Sequence, residues 1–162
     1  MEVRPCSARD LERVRGQWPT VDDVAGWHYE QQHDVAATFL VCWDGAEPVG
    51  WALVQWRGCV GENARAAFPD CVELNHLQVR PEYRGRGAGT AILAAAEQLV
   101  RDRGAGQLAV GVGVENADAA RLYQRLGYRS TGVLDTFSYS WFDDQGGRHD
   151  EVEPSELLVK RL

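Results

Sequence analysis

The chain has no apolar run near the ~20 residues that a membrane-crossing helix needs, and Met1 to Pro5 lack the apolar stretch of a secretory leader. A cytoplasmic protein with no membrane partner is therefore expected. No C-x-x-C pair occurs among the four cysteines, Cys6, Cys42, Cys59 and Cys71, so no metal site is expected. Cys6 and Cys42 stand in apolar, strand-like contexts and read as reduced core residues. Cys59 and Cys71 bracket a glycine-containing loop and could approach each other, but a reducing compartment does not favour a structural disulfide. Positive charge is also scarce, with 17 Lys and Arg against 24 Asp and Glu and a formal net charge of −7. That balance offers no basic face for nucleic acid and suits a cationic partner. Repeats, low-complexity segments and linkers are absent, so the 162 residues are expected to form a single domain, 1–162, burying roughly two-thirds of its unfolded surface.

Two phosphate-binding motifs are missing as well. No glycine loop ends in Gly-Lys-Ser/Thr, and no G-x-G-x-x-G is followed by an acidic residue about twenty positions on. What the chain does have is Arg84-Gly85-Arg86-Gly87-Ala88-Gly89-Thr90, placed between an apolar, strand-like run ending at Val79 and an apolar helix. Three alternate glycines let the backbone turn tightly, and the unpaired amides of a first helical turn attract an anion such as a diphosphate. A second segment, Asn116 to Tyr128, opens on a helix-capping Asn, carries Tyr123 seven residues later and closes on Gly127-Tyr128. Asn116 suits an N-cap, Ala119, Leu122 and Leu126 form an apolar stripe, and Gly127 suits a helix C-terminus.

The two segments together, with Arg84-x-x-Gly87-x-Gly89 first, resemble the cofactor site of the GCN5-related N-acetyltransferase (GNAT) family. The resemblance implies acetyl-coenzyme A as co-substrate. It places the diphosphate on Arg84, Gly85, Arg86, Gly87, Ala88, Gly89 and Thr90. The pantetheine arm falls along the main chain of Leu77, Gln78 and Val79, with Asn116 and Ala119 opposite it.

The order of elements is also that family's. Val3 to Cys6 reads as a strand, and Ser7 with Asp10 as a capping box for a helix to about Gly16. Thr20 with Asp23 repeats the device for a helix to about Ala36, carrying Val21, Val24, Trp27 and His28 toward one side. Phe39 to Trp43 and Val49 to Trp56 form a hairpin across Asp44 to Pro48. Gly58 to Pro69 reads as a loop and Val72 to Val79 as a strand. Ala91 to Arg103 reads as a helix, Leu108 to Val114 as a strand, and Asn116 to Leu126 as a helix. Thr131 to Phe142 and Ser155 to Leu162 form a last antiparallel pair across Asp143 to Gly147. The fold class is α+β (α/β-like), a mixed sheet of about seven strands with about four helices. In the family's fold the strands flanking the glycine helix run parallel and splay, and Gly111 and Gly113 suit such an opening.

Acetyl transfer to an amine needs a neutral nucleophile, a polarised carbonyl and a proton for the leaving thiolate. By resemblance Tyr123 is the general acid, its reference pKa of ~10 matching a thiolate of ~8.5, and the Val79 amide is the donor to the carbonyl oxygen. By the same resemblance Glu73, eleven residues before Arg84 where histone-acetylating members of the family carry a glutamate base, is the leading base, and it is expected to share a strand face with Asn75, Leu77 and Val79. A bulge would put His76 on the active face instead. The acceptor would be an amine of a small molecule or peptide, met by an aromatic wall of Trp27, Trp56, Tyr139 and Trp141 and by Glu30, Glu62 or Asp70. Three alternatives stay open: a non-catalytic acyl-coenzyme A sensor, another acyl group, or an O-acceptor. The last two strands could also pair across a two-fold axis in a homodimer.

Overall fold

The computed structural model describes residues 1–142 and 145–162. Asp143 and Asp144 of the expected last turn lie outside the described residues, as does the side chain of Trp141. Seven strands form one mixed sheet: β1 (Glu2–Pro5), β2 (Ala37–Asp44), β3 (Glu47–Gln55), β4 (Val72–Val79), β5 (Gln107–Gly113), β6 (Arg129–Phe142) and β7 (Arg148–Arg161). Their order is β1-β2-β3-β4-β5-β7-β6, with β4 and β5 parallel and the other neighbours antiparallel.

Among the described residues there are five α-helices: α1 (Ala8–Gln17), α2 (Val24–Gln31), α3 (Glu62–Ala67), α4 (Ala88–Asp102) and α5 (Ala117–Arg125). One face of the sheet carries α4 and α5 over a core that includes Val54, Leu74, Ile92, Leu108, Val110 and Tyr128. The other carries α1 and α2 over Phe39, Val41, Trp51 and Leu53, and α3 over Cys59, Cys71, Ala109 and Leu157.

Local signals set several boundaries. Ser7 and Asp10 form the expected capping box, Oγ of Ser7 accepting from the Asp10 amide at 3.1 Å and Asp10 Oδ2 from the Ser7 amide at 3.2 Å. Thr20 and Asp23 behave differently from expectation. Asp23 itself caps α2, accepting from the Gly26 amide at 3.3 Å, while Thr20 Oγ1 accepts from the Val24 amide. The helix stops at Gln31 rather than Ala36, because the Gln32 side chain bridges the sheet: Nε2 donates to the Cys6 carbonyl at 2.9 Å and Oε1 accepts from the Phe39 amide at 3.1 Å. Of the residues expected on one side of α2, His28 is buried, whereas Val21 and Trp27 are exposed. The segment Gly58 to Pro69 is not all loop: α3 lies inside it, capped from β6. In the last pair, β7 starts at Arg148, seven residues ahead of the expected Ser155.

The α4 face buries one carboxylate. Glu97 accepts from Lys160 Nζ at 2.7 and 2.8 Å and from the Tyr128 hydroxyl at 3.1 Å. Arg101 stands farther off at 3.5 Å, so removing Lys160 leaves the desolvated carboxylate with only a weaker counter-charge. Lys160→Met is expected to cost about 3 kcal/mol in urea unfolding, and adding Glu97→Leu should recover much of that loss.

Candidate functional site

The site is built where β4 and β5 part. Their parallel register holds only for Val72 with Leu108, Glu73 with Ala109 and Leu74 with Val110. Beyond it each strand stays paired on its outer side, β4 with β3 as far as Val79 and β5 with β7 as far as Gly113. The inner edges of Asn75 to Val79 and of Gly111 to Gly113 therefore face a gap.

A cleft of about 840 Å³ opens there, lined by Leu77, Gln78 and Val79 of β4, by the glycine turn and start of α4, and by α5. Every residue expected to hold the cofactor lines it except Arg86, whose guanidinium lies over the Tyr83 ring instead. Gly87 is the N-cap of α4 with φ 92°, a conformation that favours glycine, and no side chain caps the amides of Ala88, Gly89 and Thr90. Arg84 Nε donates to the Val79 carbonyl at 3.2 Å, tying the turn to the end of β4.

Two cations that the sequence reading did not single out, Arg121 and Arg125 of α5, also line the cleft. Their i, i+4 spacing on the helix that carries Tyr123 was the available signal. Arg80, by contrast, pairs with Glu82 at 2.7 Å and lies outside the lining.

Tyr123 lines the cleft, is 6% exposed, and packs edge-on against Tyr128. Burial pushes its phenol up to about 12, so it stays protonated at any working pH. Asn116 caps α5, its Oδ1 accepting from the Ala119 amide at 3.1 Å.

Glu73 and His76 line neither the cleft nor the α4 face. Register places Glu73 opposite Gln55 and Asn75 opposite Leu53, on the side of α1 and α2. His76 sits at a bulge with φ 52°, where three steps along β4 match two along β3. The bulge shifts the parity, so Leu77 and Val79 pack with the α4 core and do not share a face with Glu73 as expected. His76 does join the Glu73 face, its ring 4.8 Å from that of His28 and 5.6 Å from that of Trp27.

Glu73 is 5% exposed and accepts from the Val60 amide at 2.6 Å. Burial raises its pKa above the ordinary carboxylate value. A Cβ at Gly111 would stand 3.5 Å from Glu73 Oε1, in ordinary contact, so the carboxylate lies directly beside that glycine. Burial lowers the pKa of His76 and brings that of His28 down to about 3, keeping both rings neutral at physiological pH.

The expected aromatic wall is not assembled. Trp27 stands by His76, but Trp56 donates to Thr38 Oγ1 beneath Arg103, and Tyr139 is exposed on the distal hairpin. Cys59 and Cys71 do approach, as free buried thiols in one apolar cluster.

Comparison with known proteins identifies the family and the fold. The family model described as acetyltransferase (GNAT) matches residues 7–128. An uncharacterized N-acetyltransferase of Methanocaldococcus jannaschii is 32% identical over 96 residues, covering 59% of this chain and only 41% of that relative. Among solved structures, the ribosomal-protein-alanine N-acetyltransferase of Brucella melitensis aligns with a TM-score of 0.71 at 20% identity, covering 100% of both chains. A phosphinothricin acetyltransferase of Sinorhizobium meliloti in complex with acetyl-coenzyme A gives 0.68 at 18%, covering 99% of this chain and 88% of that one. At such identities the two structures speak for the fold.

The raised pKa of Glu73 links stability to pH. A carboxyl whose folded pKa exceeds its unfolded value binds its proton more tightly in the native state. Its contribution is full below the unfolded value of about 4.5 and is lost as pH rises through the folded pKa. Glu73→Gln keeps a neutral side chain throughout. Its unfolding free energy relative to the wild type should therefore rise between pH 4 and pH 8, as followed by urea titration at each pH.

Proposed function

We propose that this chain, which belongs to the acetyltransferase (GNAT) family, transfers the acetyl group of acetyl-coenzyme A to an amine of a small molecule or peptide, by direct attack in a ternary complex. The observation that carries this reading is a single cleft, lined in common by the glycine turn, the open edge of β4 and the Tyr123 ring. Its volume lies in the range of about 300–1,000 Å³ typical of ligand pockets. The acetyl-coenzyme A bound in the Sinorhizobium meliloti neighbour supports the same co-substrate here.

The co-substrate supplies an activated acetyl thioester when bound. The amides of Ala88, Gly89 and Thr90 at the positive end of α4 hold its diphosphate, with Arg84, Arg121 and Arg125 adding charge. The inner edge of Leu77, Gln78 and Val79 keeps backbone groups free for an amide-bearing arm, and Asn116 and Ala119 flank it. The Val79 amide donates to the carbonyl oxygen as charge develops there. Tyr123 Oη holds a proton for the departing thiolate.

Glu73 accepts the proton of the attacking amine through the gap between β4 and β5, its raised pKa bringing it closer to neutrality, as a base requires. His76 is the alternate base, favoured by its neutral ring. None of the four cysteines lines the cleft, in keeping with direct attack. No helix among the described residues is long and apolar enough to cross a membrane.

Calorimetric titration with acetyl-coenzyme A tests the co-substrate, and micromolar binding is expected. No binding would overturn the assignment. Against an amine selected from a panel, Tyr123→Phe should lower kcat by roughly 10²–10⁴-fold while acetyl-coenzyme A still binds. An unchanged kcat would remove Tyr123 as the acid. Glu73→Gln and His76→Gln, compared in the same assay, separate the two bases by which one abolishes the acid limb of the pH profile.

A further inference from the structure

A chain of contacts outside the cleft runs from the distal hairpin to Glu73. The Asp135 carboxylate on β6 accepts from the backbone amides of Asn63 and Ala64, each at 3.0 Å, and Asn63 Nδ2 donates to the Leu134 carbonyl at 2.8 Å. The α3 helix has no local side-chain cap, its N-cap residue being Gly61. Two of its otherwise orphaned amides are thus satisfied by a residue more than 70 positions away. The fit is close: a Cβ on Gly61 would stand 2.1 Å from Asp135 Oδ2. From the same helix, Arg65 donates to the carbonyls of Cys59 and Val60, both at 3.0 Å. Held on both sides, Val60 directs its amide at Glu73 Oε2, 2.6 Å away.

We propose that Asp135 is a positioning residue for Glu73: by capping α3 from β6 it fixes the Gly61–Val60 backbone, so that the Val60 amide holds the carboxylate in orientation and in charge. The role in catalysis rests on the reading of Glu73 as the base, whereas the tether itself does not.

The groups facing Glu73 are Asp135 of β6, Arg65 of α3, the Cys59 and Cys71 thiols and, across Gly111, the hydroxyl of Ser155 on β7. Asp135 acts on Glu73 in two opposed ways. Its charge raises the Glu73 pKa, and the amide it positions lowers it. The amide is the larger influence. Asp135→Asn drops the charge and keeps an acceptor for only one of the two amides, so its effect on the Glu73 pKa should be intermediate. Asp135→Ala drops both, so the pKa should rise.

The experiment is a pH titration of ¹⁵N-labelled protein, following the Val60 amide by NMR, with no amine or co-substrate added. In the wild type the Val60 shift should follow one titration above the ordinary carboxylate range, and Glu73→Gln should abolish it. In Asp135→Ala the amplitude should fall to less than about half and the midpoint rise by roughly half to one pH unit. In Asp135→Asn both changes should be smaller. A Val60 titration in Asp135→Ala that superimposes on the wild type overturns the proposal.

If Asp135→Ala does not fold, Asp135→Glu decides, because it keeps the charge and displaces the cap by one methylene: reduced amplitude supports the tether, and an unchanged titration overturns it. In the acetyl-transfer assay the acid limb of kcat/KM should move with the Val60 midpoint. An undiminished kcat in Glu73→Gln overturns Glu73 as the base and leaves the Val60 titration to be read on its own.

Discussion

Everything about the site follows from the loss of pairing between β4 and β5 beyond Leu74 and Val110. Parallel neighbours normally satisfy each other's amides and carbonyls along their length, and giving this up inside a sheet is costly unless a partner takes their place. The separation survives because each strand is still gripped on its far side, β4 by β3 and β5 by β7. The result is an inner backbone edge that an amide-bearing molecule can complete as a strand would. It also leaves a passage between the two faces of the sheet. Because α4 starts just beyond the end of β4, the positive end of its dipole faces the same opening.

Desolvation sets the protonation states around that passage. Tyr123 is pushed up and held as a phenol, Glu73 is pushed up from the carboxylate range, and His28 and His76 are pushed down and held as neutral rings. Burial disfavours the charged form at all four, and the sheet separates Tyr123 from the other three. In the proposed reaction Tyr123 is the proton donor on one face and Glu73 the acceptor on the other, and attack on a thioester by an amine calls for such a division, since one proton leaves the nitrogen as another reaches the sulfur. The cations serve a different purpose. In a chain of net charge −7, Arg84, Arg121 and Arg125 line one cleft together with a single acid, Asp118, which pairs with Arg121, so the lining is positively charged on balance.

Where a signal was local, the sequence could be read to the residue. The Ser7–Asp10 capping box, the limits of β4 and the turn at Gly87 are all set by neighbours in the chain. Where the deciding partner was distant, it could not. The α3 helix hides in a glycine-flanked segment because its cap is Asp135, and α2 ends early because Gln32 bonds to Cys6, just past β1, and to Phe39 of β2. The residues around the glycine turn were legible because phosphate cradles depend on backbone shape, which glycine spacing records. The charges on α5 were less so, because a surface arginine looks the same in sequence whether it faces a cleft or open solvent.

The bulge at His76 is an instructive intermediate case, since its signal was present in the sequence. A regular strand through Val72 and Leu74 would next point Asn75, Leu77 and Val79 to the Glu73 face, and His76 and Gln78 into the apolar core under α4. Burying those two polar side chains without partners would cost more than one irregular residue does. The apolar positions 72, 74, 77 and 79 are spaced two, three and two apart, and only an inserted residue keeps all four on one side. His76 takes that position in a left-handed conformation, and the strand then serves both faces at once. Glu73, Asn75 and His76 stand toward α1 and α2, Leu77 and Val79 return to the α4 core, and the backbone between them is left free at the gap.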